Sequence, residues 1–205
     1  FSGLPDAVKW FLPPYNTMIE TNTCLQSGFA ASPNCPDVKA VWTAKGAENA
    51  SFCQFHKTLL ISNDFKFTLS NACAEQAGGK LQSWFVLPPA WEYYFKKKHP
   101  GYTSPPPLKP GCGTESNPMQ LIYPSAFQKV LLAKQFSGEA GPVVFKLAHR
   151  HFRTKVYWHA NDHFLGETCE KHELAVNLPA GQYVLKVVDE DGNELTQKFQ
   201  ILDSK

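Results

Sequence analysis

Trp84–Cys112, WFVLPPAWEYYFKKKHPGYTSPPPLKPGC, is the stretch that divides the chain. Trp84-Phe85-Val86-Leu87 is an apolar run long enough for one buried strand. Pro88 and Pro89 stop it, since proline cannot donate to a ladder, and Pro89 suits the first turn of a helix. The spacing predicts that helix over Ala90 to Lys98, with Trp91, Tyr94 and Phe95 on one face and Glu92 one turn from Lys96. Lys96, Lys97 and Lys98 complement the negative end of its dipole. Four prolines between Ser104 and Pro110 predict an extended, semi-rigid strut. The stretch therefore reads as a junction between two bodies, packed by Trp84, Trp91, Tyr94 and Phe95, with the charged residues of the helix left in water.

Working outward, the chain of 205 residues has room for one domain or two small ones, and 43% hydrophobic residues give it material for a core. Twenty basic against 18 acidic side chains leave a formal charge of +2, and only Arg150 and Arg153 are arginines. That balance argues against a nucleic-acid binder. No apolar run is long enough to span a bilayer and no signal-peptide pattern opens the sequence at Phe1, so any membrane anchor is expected upstream.

Before the junction the pattern is irregular. A short helix is expected near Asp6 to Phe11, stopped by Pro13-Pro14. Strands are expected at Val38 to Thr43 and on both sides of a Phe55–Leu69 hairpin turning at Ser62-Asn63-Asp64. After Cys112 apolar and mixed positions alternate, as in Val143, Phe145, Leu147 or Tyr183, Leu185, Val187, in about seven runs separated by turn clusters. This is the period of an antiparallel β-sandwich. Asn161-Asp162 and Asp191-Gly192 are hairpin turns. The fold class is mainly β: an immunoglobulin-like antiparallel sandwich over 113–205, preceded over 1–112 by a small irregular disulfide-braced module with a hairpin and one short helix.

The ordered pattern WFVLPP, W, E, YY, HP, Y, PP, P, C resembles the region that follows the transpeptidase domain in the penicillin-binding protein 1C family. Cys24-Leu25-Gln26-Ser27-Gly28 to Cys35-Pro36, Cys53-Gln54-Phe55-His56 to Cys73, and the Trp158 hairpin agree with it. The resemblance covers nearly the whole chain and includes no catalytic motif. It implies a non-catalytic accessory region of a periplasmic peptidoglycan glycosyltransferase/transpeptidase anchored to the inner membrane. Such a region would position the enzyme beside its upstream transpeptidase domain, or recruit peptidoglycan or a periplasmic protein. An α2-macroglobulin-like protein is one partner the family suggests.

Six cysteines without a CxxC pair suit disulfides in an oxidising compartment. Cys24 and Cys35 flank a loop that can close on itself. A three-residue turn at Ser62–Asp64 would set Ile61 against Phe65 and Cys53 against Cys73. Cys112 and Cys169 remain, and would tie the strut to the sandwich. Cys53-x-x-His56 is half of a zinc signature, but its cysteine is assigned to Cys73, so no metal and no cofactor is expected. His149, His151, His159 and His163 read as solvated strand and turn histidines, and Asp189–Asn193 as a turn instead of a calcium loop. Tyr157 and His159 point away from Trp158 and, with His163, form the candidate binding surface. A stand-alone glycan-binding module, or a hydrolase with a histidine-based site in the sandwich, are the alternative functions.

No catalytic residue is assigned. Acylation by a β-lactam needs a serine activated by a nearby lysine, and no serine stands three positions before a lysine. The purified chain should therefore stay dark on a gel after incubation with a fluorescent penicillin. Labelling that disappears on substitution of one serine would refute the assignment.

Overall fold

The computed structural model describes residues 15–46, 50–70, 73, 78–113, 116–133, 140–151 and 153–202. The helix expected at Asp6 to Phe11 lies outside them. The chain forms two compact units, the first ending at Val86 and the second beginning at Leu87. The helix and the proline-rich segment thus fall in the second unit, where the sequence boundary at 112 had put them in the first body.

In the first unit, β1 (Met18–Cys24) and β2 (Val38–Ala44) form an antiparallel ribbon, with Cys24 opposite Val38. Their β-branched residues favour the pleat, and Thr21 and Thr43 are bonded across it at 2.8 Å. A second sheet has the order β4-β3-β5, where β3 is His56–Ser62, β4 is Thr68–Leu69 and β5 is Gly79–Phe85. Gly79 begins β5 because a Cβ there would stand 2.7 Å from the Ile61 carbonyl oxygen.

The hairpin register differs from expectation. Ile61 pairs with Thr68 and Leu60 with Leu69, three residues beyond the predicted partners. The turn is longer because Asp64 holds it: its carboxylate accepts from the Ser62 hydroxyl at 2.6 Å and the Lys66 N–H at 3.2 Å, and Phe65 takes a left-handed φ of 59°. The shift takes Cys73 out of register with Cys53. Cys73 and Cys112 are the disulfide-bonded cysteines, while Cys24, Cys35, Cys53 and Cys169 are free thiols. The expected bridges Cys24–Cys35, Cys53–Cys73 and Cys112–Cys169 are therefore corrected. Cys169 is exposed at a turn, its thiol donating to the Arg153 carbonyl at 3.3 Å.

The second unit is a two-sheet β-sandwich. Five strands run in the order β10-β9-β12-β13-β7 and face three in the order β11-β8-β6. Their ranges are β6 Met119–Tyr123, β7 Lys129–Leu131, β8 Val143–His149, β9 Val156–Ala160, β10 His163–Thr168, β11 Glu173–Val176, β12 Gly181–Asp189 and β13 Glu194–Leu202. The alternating residues read from the sequence fill the space between the sheets. Trp158 and Phe145 lie stacked with ring centroids 6.1 Å apart, and Phe199 meets Phe145 edge-on at 5.5 Å. Asn161 and Asp162 have φ of 47° and 66°, the signature of a two-residue hairpin turn.

The helix α1 spans Pro89–Lys98 and packs on β6 and β8 of the same unit. Its contact is the reverse of the one expected. Trp91 is 56% exposed and Tyr94 49% exposed, whereas Glu92 is 1% exposed. The Glu92 carboxylate binds Arg150 Nε at 2.9 Å and Lys96 Nζ at 2.8 Å, and also accepts from the Ser104 hydroxyl. A second Arg150 donor reaches the Leu87 carbonyl at 2.7 Å. The proline-rich segment is thereby fastened by Ser104, with Pro105 buried, and does not act as a free spacer. Of the other expected junction residues, Phe95 is half-buried against His99 and Tyr102, and Trp84 is half-buried on β5 opposite Lys57.

Removing one member of a buried ion pair leaves its partner uncompensated and costs roughly 3–5 kcal/mol. Glu92→Ala should lower unfolding stability in urea, followed by circular dichroism, by that amount. Trp91→Ala, at a largely exposed site, should cost less than about 1 kcal/mol. Equal costs for the two would contradict this packing.

Candidate functional site

Three features of the described residues could carry function: a thiol–imidazole cluster in the first unit, a buried histidine network in the second, and a groove on the outer face of the five-stranded sheet.

The cluster gathers Cys24, Cys35, Cys53 and His56, whose ligand atoms all lie within 4.8 Å of one another. Four short pieces of backbone place them. Cys24 ends β1 and opens a turn in which the Gly28 N–H returns to the Cys24 carbonyl at 2.9 Å, with Gly28 at φ 74°. Cys35 follows a Ser32 turn. Cys53 is held by its N–H on the Ala30 carbonyl at 2.8 Å, and His56 begins β3. The His56 Nε2 lies 2.7 Å from Gln26 Oε1, an amide oxygen that can only accept, so the ring proton is on Nε2. Nδ1 is left to face the sulfurs, 3.4 Å from Cys24 Sγ and 3.5 Å from Cys53 Sγ.

Burial holds the His56 imidazole below its ordinary pKa, against the pull of Asp37. Burial also pushes the Cys24 thiol up, but hydrogen bonds from the Ser27 hydroxyl and from the Ser27 and Gln26 N–H groups outweigh it, and the net shift is downward. Burial raises Cys35, and the bonds it receives from Ser32 offset this only in part. These residue types in this arrangement could hold a soft cation. The sequence reading saw only the Cys53-x-x-His56 half, because it spent the other cysteines on disulfides.

In the sandwich the His149 side chain is 1% exposed and His151 and His159 are half-buried, which corrects the expectation of solvated histidines for these three. His172, for which the sequence reading held no expectation, is buried. His149 Nε2 lies 3.2 Å from Asp189 Oδ2, and its ring is 5.7 Å from that of His172. Trp158 Nε1 donates to the Thr168 hydroxyl at 2.8 Å, which stands 3.1 Å from His172 Nδ1. Asp189 also accepts from the Asp191 and Asn193 N–H groups and the Asn193 amide, so its carboxylate serves the β12–β13 turn. This network ties the ends of strands together. His172 was missed because nothing in KHEL marks it as inward-facing.

The expected binding residues lie on the outer face of the five-stranded sheet. Tyr157 and His159 are half-buried, His163 is exposed at the turn, and His159 pairs with Phe164 and Lys186 on its two sides. The same face carries a groove of about 440 Å³, floored by Gln182, Val184, Lys198 and Gln200 and walled by Phe127. Phe127 is 80% exposed in a left-handed conformation (φ 58°), with its N–H on the Lys198 carbonyl at 2.8 Å. Phe127 carries no periodic signal, so the sequence could not single it out.

Residues 110–199 match the Penicillin-Binding Protein C-terminus Family. That match lies on the sandwich and covers less than half of the chain. No curated protein sequence matches the chain. Among solved structures it is similar to the fibronectin(III)-like modules of Clostridium thermocellum CbhA, at 14% identity and a TM-score of 0.31, over 42% of this chain and 46% of that one. It is also similar to SGBP-B of the Bacteroides ovatus mixed-linkage glucan utilization locus, in complex with a mixed-linkage heptasaccharide. There the identity is 15% and the TM-score 0.27, over 45% of this chain and 26% of that one. The chain thus spans less than half the length of either. The match coincides with the part of the sequence resemblance that follows Cys112, and among the described residues no helix is long and apolar enough to cross a membrane.

Burial pushes His172 down to about 4, helped by His149 nearby. An unfolded histidine takes its proton near pH 6.5, so between there and about 4 the unfolded chain binds more protons and stability is lost as the pH is lowered. The melting temperature of the wild type should therefore drop from pH 7 to pH 4 more steeply than that of His172→Gln. Parallel profiles for the two would show that His172 is not buried neutral.

Proposed function

We propose that this chain is a non-catalytic accessory region of a peptidoglycan glycosyltransferase/transpeptidase working in the periplasm, and that its sandwich binds the wall polymer. The match of residues 110–199 supports the accessory assignment, which makes the chain part of a cell-envelope protein. The observation that carries the binding reading is Phe127. A phenylalanine in the left-handed region is strained, and one 80% exposed returns little of that cost through packing. Beside it stand the amides of Gln182 and Gln200 and the ammonium of Lys198. An aromatic face for a sugar ring, with amides for hydroxyl and acetamido groups, is the chemistry of a glycan site.

The hydrolase alternative loses its support, since His149 and His172 are engaged with Asp189 and Thr168 inside the fold. Recruitment of a periplasmic protein, including one of α2-macroglobulin type, is the competing outcome. Co-sedimentation with isolated sacculi decides between them. The wild-type chain should pellet with the wall and Phe127→Ala should bind about tenfold more weakly, about 1.4 kcal/mol. A wild-type chain left in the supernatant, or undiminished pelleting of Phe127→Ala, would overturn wall binding through this groove.

A further inference from the structure

The first unit has a site that goes beyond this function. We propose that Cys24, Cys35, Cys53 and His56 bind one zinc ion as a tetrahedral Cys3His site, and that the ion holds the first unit folded.

The spacings match. With Zn–S of about 2.3 Å and Zn–N of about 2.0–2.1 Å, a tetrahedron has S···N edges of about 3.6 Å and S···S edges of about 3.8 Å. His56 Nδ1 stands 3.4 Å and 3.5 Å from two of the sulfurs, and the whole set fits within 4.8 Å. The histidine is also aimed for a metal. Its second nitrogen is taken by Gln26 Oε1 at 2.7 Å, the outer contact that fixes the tautomer and ring plane of a ligating imidazole. Cys35 Sγ receives the Ser32 N–H at 3.3 Å and lies 3.3 Å from its hydroxyl, donors placed to support a metal-bound thiolate. Three thiolates and an imidazole in this geometry select zinc over magnesium or calcium. On binding, the three thiols release their protons to solvent and a net charge of −1 remains within the cluster.

The two other uses of such a cluster fit less well. An apolar core would not place a ring nitrogen among three sulfurs. Yet the cluster is a core of this unit, with Ala31 and Phe55 packed around the sulfurs and Phe85 against His56. A disulfide would use two of the sulfurs and strand the third beside His56. The ligands come from pieces far apart in sequence (24, 35, 53 and 56), so an ion bound there cross-links β1, the following loop and β3.

The test uses the whole chain, purified without chelator or added metal. Elemental analysis should find one zinc per chain. After removal of zinc with a mercurial reagent and a chelator, cobalt(II) should give the intense visible bands of a tetrahedral thiolate complex, and zinc should abolish them. Stripping should free amide exchange across 15–46 and 50–62 while the strands of the sandwich stay protected. Cys53→Ser should lose the ion. Because that variant could fail to fold, His56→Cys serves beside it and should keep the ion with a shifted cobalt spectrum. A chain isolated without zinc, a cobalt spectrum of the octahedral type, or a disulfide among Cys24, Cys35 and Cys53 in the unreduced digest would each overturn the proposal.

Discussion

Scarcity of apolar burial governs the first unit. β2 is exposed along nearly its whole length, with Val38, Val41 and Trp42 facing solvent, and the β1–β2 ribbon alone buries too little to hold itself. Among the described residues of this unit, Ile61, Leu69 and Phe85 supply a small buried apolar patch around β3, and Cys24, Cys35, Cys53 and His56 form the other buried group. A body of this kind needs a staple, and the places where its chain segments meet are the three thiols and His56. The bridges Thr23–Ala30 and Ala30–Phe52 bring the backbone to the same point, so the local hydrogen bonding and the ligand geometry agree.

The second unit meets the opposite condition. Its two sheets enclose a continuous apolar layer around Phe145, Trp158 and Phe199, and the charged side chains buried beside it are paired. Glu92 is held by Arg150 and Lys96, and His149 by Asp189. Buried charge of this sort contributes less to net stability than to specifying one arrangement, here the seating of α1 on β6 and β8. A core so stable can carry strain at its surface, and Phe127 at the rim of the outer groove is where strain and exposure coincide. That is the basis for reading this face as the one that meets a ligand.

What the sequence revealed follows from the range of the physics involved. The period-two alternation of the sandwich, the Asn161-Asp162 turn and the helix after Pro89 are local signals, and each is present in the structure. The β3 register depended on Asp64 enclosing a longer turn, a side-chain effect that hydrophobic pattern does not encode, and the cysteine pairing rested on that register. The face of α1 was misread for a related reason. Three aromatics outweighed one glutamate, but Arg150, 58 positions away, made Glu92 the residue to bury. The same failure hid the cluster: the Cys53-x-x-His56 spacing was visible, while the approach of Cys24 and Cys35 is a fact of tertiary structure.

The most direct measurement of the central claim is X-ray absorption at the zinc edge on the chain as isolated. The expected fine structure has three sulfurs at about 2.3 Å and one nitrogen at about 2.0–2.1 Å. A shell of oxygen and nitrogen without sulfur, or the absence of an edge, would contradict the account of how the first unit is held together.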